Sequence, residues 1–329
     1  MDASMAPAPL ISVLIASDRV EGSLSACLES LERQEGAPPF EAVIASAAPS
    51  DSPRTFSFPC EWVTVVPRNP AARRNAAALR ARGTVFAFID DDAEAEPDWL
   101  RSGARSLERA DVAGGPDLGL RGASYGERLS DLLLATPWIG SGIPAHERRP
   151  PGGPVVSAHD VALCNLFATR NAFEALGGFD ESLGYVGEDT DFVRRALDRG
   201  FAVHLDPDVR VRHRRRPFPG GYLAQRWRYR VKTGRMLVER PGLHSRGRVT
   251  AFLTAGFAAT AGTALFGLPF LLPVGLAYAG TTWVLSFPIW RDDPALFPAV
   301  PFAFALHHLT YFGGLLAGIA QGLLTAGAR

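Results

Sequence analysis

Three consecutive aspartates, Asp90, Asp91 and Asp92, close the segment "FIDDD" behind an apolar run that reads as the end of a buried strand. Adjacent carboxylates repel one another, so water, helix-end amides or a cation must balance them. Asp90 and Asp92 have D-x-D spacing, which at a strand end lets alternate side chains face one pocket. Hard oxygen ligands of this kind suit Mg²⁺ or Mn²⁺, ions that usually bind through a few carboxylates together with phosphate groups. Aspartates also cap helices and line solvated turns, so the pair alone leaves both readings open. A second acidic group lies in "GEDTDF", where Glu188, Asp189 and Asp191 stand at the start of a helix pattern. Capping explains one acid, not three. A carboxylate held near a metal-bound diphosphate is what removal of a proton from an attacking hydroxyl requires. His213 ends "DVRVRH" and precedes three arginines. A lone histidine is more often structural or solvated than a ligand, and His213 gains weight only in acidic company.

These residues need a frame. "LISVLIAS" (10–17), "FEAVIAS" (40–46), "EWVTVV" (61–66) and "GTVFAFID" (83–90) read as strands, with helices expected over 22–34 and, started by Pro70, over 70–82. Strands alternating with helices through short turns argue for a parallel α/β sheet, in which ligands sit beyond the carboxyl ends of the strands. The aspartates emerge at such an end. Further on come a proline-started helix over 97–108, a short strand at 111–116, and a Pro- and Gly-rich stretch over 137–157 that reads as a long loop of the kind that often lies over an active site. A strand (161–168), a helix (170–176) and a second helix within 187–200 follow.

The chain has 329 residues and a net charge of zero that hides an asymmetry. From His204 to Arg248 there are 13 Lys or Arg against 3 Asp or Glu, while 249–290 and 295–328 contain no charged residue. The first uncharged run is twice the length of about 20 residues that crosses a bilayer, so a hairpin of two spans fits, with a third candidate inside 301–324 that also holds His307, His308 and Gln321. A large buried helical core is the alternative, but such cores usually alternate with charged faces. Arg240, Arg246 and Arg248 precede the first span and, by the positive-inside rule, place residues 1–248 on the cytoplasmic side. The N-terminal apolar run has no basic residue before it and does not read as a signal peptide. Cys27, Cys60 and Cys164 show no pairing or zinc-type spacing and read as free thiols.

The order "RRNAAALRARGTVFAFIDDDAEAEPDWL", then "CNLFATRNAFEALGGFDESLGYVGEDTDFVRRALDRG", then "VRVRH" resembles the family 2 inverting glycosyltransferases with the GT-A fold, over about residues 8–240. The resemblance implies an α/β catalytic domain of the nucleotide-diphospho-sugar transferase type, with a Rossmann-like, mostly parallel sheet, over 1–245. An all-α membrane region follows over 246–329, with two or three spans near 249–268, 270–290 and 301–325. By the same resemblance Asp90, Asp91 and Asp92 belong to the donor diphosphate site, and Asp90, Asp92 and His213 hold Mn²⁺ or Mg²⁺. Asp189 is the general base. Asp18, Arg74 and Asn75 approach the nucleotide, and Glu188 stands on the acceptor side. Phe179 and Asp180 of "GGFDE" are structural. Many family members carry a "DDGS"-type motif where this chain reads "VIASAAPSDS" (43–52), which leaves base recognition there without its usual residues.

"QRWRY" (225–229) resembles the Q-x-x-R-W motif of processive synthases, with Tyr229 where Trp is expected. Gln225, Trp227 and Arg228 would then contact the acceptor sugar. The other reading is a basic helix near 220–240 lying on the membrane surface, with aromatic rings at the interface and arginines toward anionic headgroups. The resemblance further implies a nucleoside-diphosphate sugar, a UDP-sugar first, as donor and a lipid-linked or envelope glycan as acceptor. Membrane lipids are expected partners and nucleic acid is not, and the place is the bacterial inner membrane with the catalytic domain facing the cytoplasm. Two other classes stay open. A nucleotidyl or phosphoryl transferase would use a D-x-D pair but also a phosphate-cradling glycine loop or a second metal cluster. A membrane scaffold would leave the acidic groups without a role.

Overall fold

The computed structural model describes residues 11–17, 22–47, 55–66, 69–141, 143–155, 157–183, 186–239, 262, 267, 269 and 271–327. The chain forms two compact units: residues 1–121 with 143–214, and residues 122–142 with 215–329. The boundary expected at 245/246 falls outside the described residues.

In the first unit the chain runs β1 (Ile11–Ser17), α1 (Ser23–Glu32), β2 (Phe40–Ser46), β3 (Cys60–Thr64), α2 (Pro70–Arg80), β4 (Val85–Asp90), β5 (Ala93–Ala95), α3 (Trp99–Ser106), β6 (Val112–Gly114) and β7 (Asp117–Gly119). After residues 122–142, which belong to the other unit and hold α4 (Tyr125–Ala135), it continues with β8 (Gly153–Pro154), β9 (Asn165–Thr169), α5 (Arg170–Leu176), α6 (Glu188–Asp198), β10 (Val203–Leu205) and β11 (Val211–His213). The main sheet has the order β3-β2-β1-β4-β9-β6-β10-β8, and a small sheet has the order β5-β11-β7.

Strands β3, β2, β1 and β4 are parallel, as alternation with helices demands. β9 departs from that expectation: it runs antiparallel between β4 and β6. Periodicity shows that a strand exists but not its direction, so the mixed sheet was invisible locally. Both faces of the sheet are covered. Side chains alternate along β1, so Leu14 joins α2, α5 and α6 through Ala77, Phe173 and Phe192, while Val13 and Ile15 join α1 and α3 through Leu28 and Trp99. Asn165 sits inside this core at 0 % exposure with every group paired: Oδ1 accepts from Trp99 Nε1, and Nδ2 donates to Pro116 O and Val209 O. Gly115 is required where β6 leads to β7, because a Cβ there would lie 1.9 Å from Val209 O. Among the expected long-loop residues, 153–154 add β8 to the sheet edge beside β10 and 144–146 form one 3-10 turn. Cys27, Cys60 and Cys164 are free thiols, two buried and Cys60 half-buried.

The second unit is helical: α4, α7 (Gly220–Glu239), α8 (Leu271–Trp290) and α9 (Val300–Gly327). Leu132 and Leu133 of α4, Tyr222 of α7 and Val300 and Phe304 of α9 share its core, and a buried Arg215–Asp131 ion pair of 3.0 Å lies within it. Two segments, Leu272–Trp290 and Pro294–Ala326, are long and apolar enough to cross a membrane. The span expected at 249–268 lies outside the described residues.

Candidate active site

The small sheet assembles the site. β4 ends on Asp90, the chain turns through Asp91 and Asp92, and β5 pairs antiparallel with β11 so that His213 stands opposite Ala93. The Arg214 backbone N–H donates to Asp92 O at 3.0 Å and locks that junction. His213 Nε2 lies 2.9 Å from Asp92 Oδ1 and 4.0 Å from Asp90 Oδ2. Asp91 points elsewhere and accepts from Ser17 Oγ at 2.6 Å, at the end of β1. The alternation expected of D-x-D is thus realised, with Asp90 and Asp92 toward His213 and Asp91 toward β1.

β11 also pairs parallel with β7, which brings Asp117 behind His213. Asp117 is 1 % exposed, and its two oxygens lie 2.6 Å from His146 Nδ1 and 3.4 Å from His213 Nδ1. Cys164 Sγ donates to it at 3.5 Å. A carboxylate on the far nitrogen of a metal-binding histidine fixes its tautomer and ring orientation. The sequence singles out neither Asp117 nor His146, and it reads Cys164 only as a free thiol. Their only local signal is residue type.

A cation fits this arrangement. Asp90, Asp92 and His213 offer ligand atoms within 4.8 Å of one another, and the two carboxylates suit Mn²⁺ or Mg²⁺. Asp117, Cys164 and His213 form a second close set. Burial pushes the Cys164 thiol up to about 12, however, so it is protonated at neutral pH and serves as a hydrogen-bond donor behind His213 rather than as a ligand. Burial disfavours a charged His213, but its neighbours outweigh this and hold its pKa well above the ordinary value. With Cys164 neutral, Asp92 and Asp117 carry that effect.

Arg74 links the two acidic groups. It is 5 % exposed, and its guanidinium reaches Asp90 Oδ1 at 2.5 Å and Glu188 Oε1 at 3.4 Å. Burial opposes its charge, yet Asp90 and Glu188 outweigh that and raise its pKa. The three acids of α6 have separate positions. Burial, then Asp189, pushes Glu188 up to about 7 against the pull of Arg74. Asp189 is half-buried and accepts the Thr190 N–H at 2.7 Å. Asp191 faces the core and pairs with Arg194 and Arg195 at 3.0 and 2.7 Å, and Arg195 in turn donates to Leu176 O and Gly178 O. The N-cap is Gly187 at φ 92°, which has no side chain to cap with, and Asp189 satisfies one first-turn amide through Thr190 N.

Other expected site residues fall as follows. Asp18 lies outside the described residues. Asn75 is committed to the "GGFDE" turn: its Oδ1 accepts from Phe179 N, and its Nδ2 donates to Phe179 O and Glu181 Oε1, each at 2.9 Å. Phe179 sits among Phe88, Phe173 and Phe192, and Asp180 accepts from the Ser182 hydroxyl and N–H. Gln225, Trp227 and Arg228 belong to α7 of the second unit. Gln225 Oε1 accepts from Arg226 and its Nε2 donates to Tyr229 Oη, which braces the helix's own side chains. Trp227 lies along α9, where a Cβ on Gly313 would come within 2.9 Å of its ring. Arg228 is exposed.

Comparison with known proteins matches the chain to a family. The profile described as "Glycosyl transferase family group 2" covers residues 85–317, more than half of the chain, and "Glycosyl transferase family 2" covers residues 12–119. The chain belongs to glycosyl transferase family 2. Its relatives include the O-antigen biosynthesis protein RfbC of Myxococcus xanthus, 26% identical over 62% of this chain and 17% of RfbC. Another is the succinoglycan biosynthesis protein ExoM of Rhizobium meliloti, 32% identical over 60% of this chain and 63% of ExoM. The chain thus spans less than two thirds of each of these two relatives. The mannosyltransferase PcManGT from Pyrobaculum calidifontis, solved with GDP-Man and Mn²⁺, superposes with a TM-score of 0.54 at 20% identity, covering 93% of this chain and 90% of PcManGT. The family 2 chain is therefore GT-A-like in fold, as its sequence motifs implied.

Proposed function

We propose that this family 2 glycosyltransferase is an inverting, metal-dependent enzyme that moves a sugar from a nucleoside-diphosphate sugar to a hydroxyl of a lipid-linked or envelope glycan. The observation that carries the reading is the joining of the Asp90–Asp92–His213 group through one buried arginine, Arg74, to Glu188, the sequence neighbour of Asp189. Asp90, Asp92 and His213 would hold Mn²⁺ or Mg²⁺, which when bound would supply positive charge against a departing diphosphate. PcManGT, with its nucleotide sugar and Mn²⁺, supports the donor class. Asp189 takes the acceptor proton. A carboxylate suffices as the base because the hydroxyl gives up its proton only as the new bond forms. Glu188 stands on the acceptor side of Asp189, and Arg74 holds Glu188 and Asp90 at a fixed separation. Displacement by the acceptor oxygen opposite the leaving group inverts the anomeric carbon.

The apolar C-terminal helices anchor the enzyme in the bacterial cytoplasmic membrane, with residues 1–245 as the catalytic region on the cytoplasmic side. Polysaccharide relatives and two helices long and apolar enough to cross a bilayer support this reading. A phosphoryl transferase or a scaffold leaves Asp189 without a task.

Calorimetric titration of the detergent-purified chain with UDP, GDP, dTDP and CMP, with and without Mn²⁺, tests the donor class. Metal-dependent binding of one nucleoside diphosphate is expected, and folded protein that binds none of them removes the enzymatic reading. Asp189→Asn should abolish transfer and leave donor binding nearly intact, whereas Asp92→Ala should weaken both. Equal loss of binding in the two variants contradicts the assigned roles.

A further inference from the structure

The two bilayer-length segments have different surroundings. α8 carries no charged residue, and Leu272, Leu276, Val284 and Phe287 along it are exposed. α9 instead has a fixed companion. Tyr222 Oη of α7 lies 2.8 Å from His307 Nδ1 of α9, a Cβ on Gly318 would fall 2.0 Å from Val231 O, and one on Gly322 would fall 2.9 Å from Val238 Cβ. At the far end Thr325 Oγ1 donates to Glu239 Oε1 at 3.5 Å. These pairs advance together along both helices, so α7 and α9 are parallel and in contact over nearly the whole of α7. Gly314, Gly318 and Gly322 repeat every four residues and form the seam that permits this approach.

The depth of α9 in a membrane is therefore also the depth of α7. Within its 20 residues α7 bears Arg226, Arg228, Arg230, Lys232, Arg235 and Glu239. Arg228, Arg235 and Glu239 are exposed, whereas Arg226 is buried over the Tyr229 ring and Arg230 is half-buried with its guanidinium 4.1 Å from the centre of the Tyr311 ring. Side chains of this kind are among the most costly to hold at mid-bilayer. On α9, Phe302, Leu309, Leu316 and Leu323 recur every seven residues and are all exposed. At about 3.6 residues per turn this stripe falls on the side of α9 roughly opposite the glycine seam. The pair is thus amphipathic as a unit, with charge on α7 and an apolar stripe on α9 facing away from it.

We propose that α7 and α9 lie together in the headgroup region of one membrane face, stripe toward the acyl chains and arginines toward anionic headgroups, and that α9 does not traverse the bilayer. The inference rests on the membrane-anchoring reading above and leaves crossing to the uncharged run that ends at Trp290. The test uses the full chain in native vesicles with Ala295→Cys or Ala326→Cys, one near each end of α9. A membrane-impermeant maleimide is applied to intact and to inverted vesicles, and peptide mass spectrometry separates these sites from the native cysteines. Both should label from the same face. Nitroxide labels at Leu309→Cys and Leu316→Cys should report equal depths, about 5–10 Å into the boundary. Labelling of 295 and 326 from opposite faces, or a depth that runs from interface to midplane, overturns the inference while leaving the anchor in place. Recovery of the folded chain in the soluble fraction after lysis overturns the anchor and the inference together.

Discussion

Glu188 offers a quantitative check on the electrostatics of the site. It is 7 % exposed in the first turn of α6, with Arg74 at 3.4 Å and Asp189 next in sequence. Burial first, and Asp189 second, raises its pKa from an ordinary 4.5 to about 7. An acid raised in this way binds its proton more tightly folded than unfolded, so its contribution to stability falls as pH rises from about 4.5 to 7 and is level on either side. At about 1.36 kcal/mol per unit the full effect is on the order of 3 kcal/mol. Glu188→Gln removes the titration and keeps the size and an oxygen acceptor for Arg74. Between pH 5 and pH 8 the stability of the variant relative to the parent should therefore improve by about 2–3 kcal/mol. Denaturant unfolding of the detergent-solubilised chain, followed by tryptophan fluorescence at each pH, reads this difference. A gap that stays constant across the range would show that Glu188 is ionised throughout, and the argument from burial would fail.

Three further outcomes are expected. Asp117→Asn should weaken Mn²⁺ binding about 10- to 100-fold through loss of the His213 orientation, with the fold retained; electron paramagnetic resonance titration of Mn²⁺ reads this, and unchanged affinity would deny Asp117 its role. Arg74→Ala leaves Asp90 and Glu188 facing each other without their shared cation, so unfolding free energy should drop by about 3–5 kcal/mol. A loss under about 1 kcal/mol would mean that the bridge matters little. Gly318→Ala puts a Cβ 2.0 Å from Val231 O and should lower the melting temperature by opening the α7–α9 seam, at a cost of about 1–3 kcal/mol. An unshifted melting curve would argue against that seam.

Much of the chemistry was legible because it is local. Asp90 and Asp92 share a face through strand alternation, the sheet-forming runs of β1, β2, β3 and β4 announce themselves by apolar continuity, and Pro70 marks the first residue of α2. The same logic does not reach what depends on distant partners. Three acids that look equivalent in "GEDTDF" divide into an arginine-bridged, a half-buried and a buried group, because Arg74 of α2 reaches Glu188 while Arg194 and Arg195 of the same helix hold Asp191. The bonds from Asn75 to Phe179, 104 positions away, leave no trace in its own segment. The basic helix at 220–239 looks solitary until the glycines of α9 close on it. His146, Cys164 and His213 are separated from Asp117 by 29, 47 and 96 positions, and no periodicity links such intervals. The sequence by itself determined the strand and helix periods, the acidic pairs and the uncharged segments, since each depends on side chains a few residues apart. Tertiary structure decided strand direction, the carboxylate behind His213 and the companion of α9, since pairing between distant strands and helices is settled only when the whole core is filled at once.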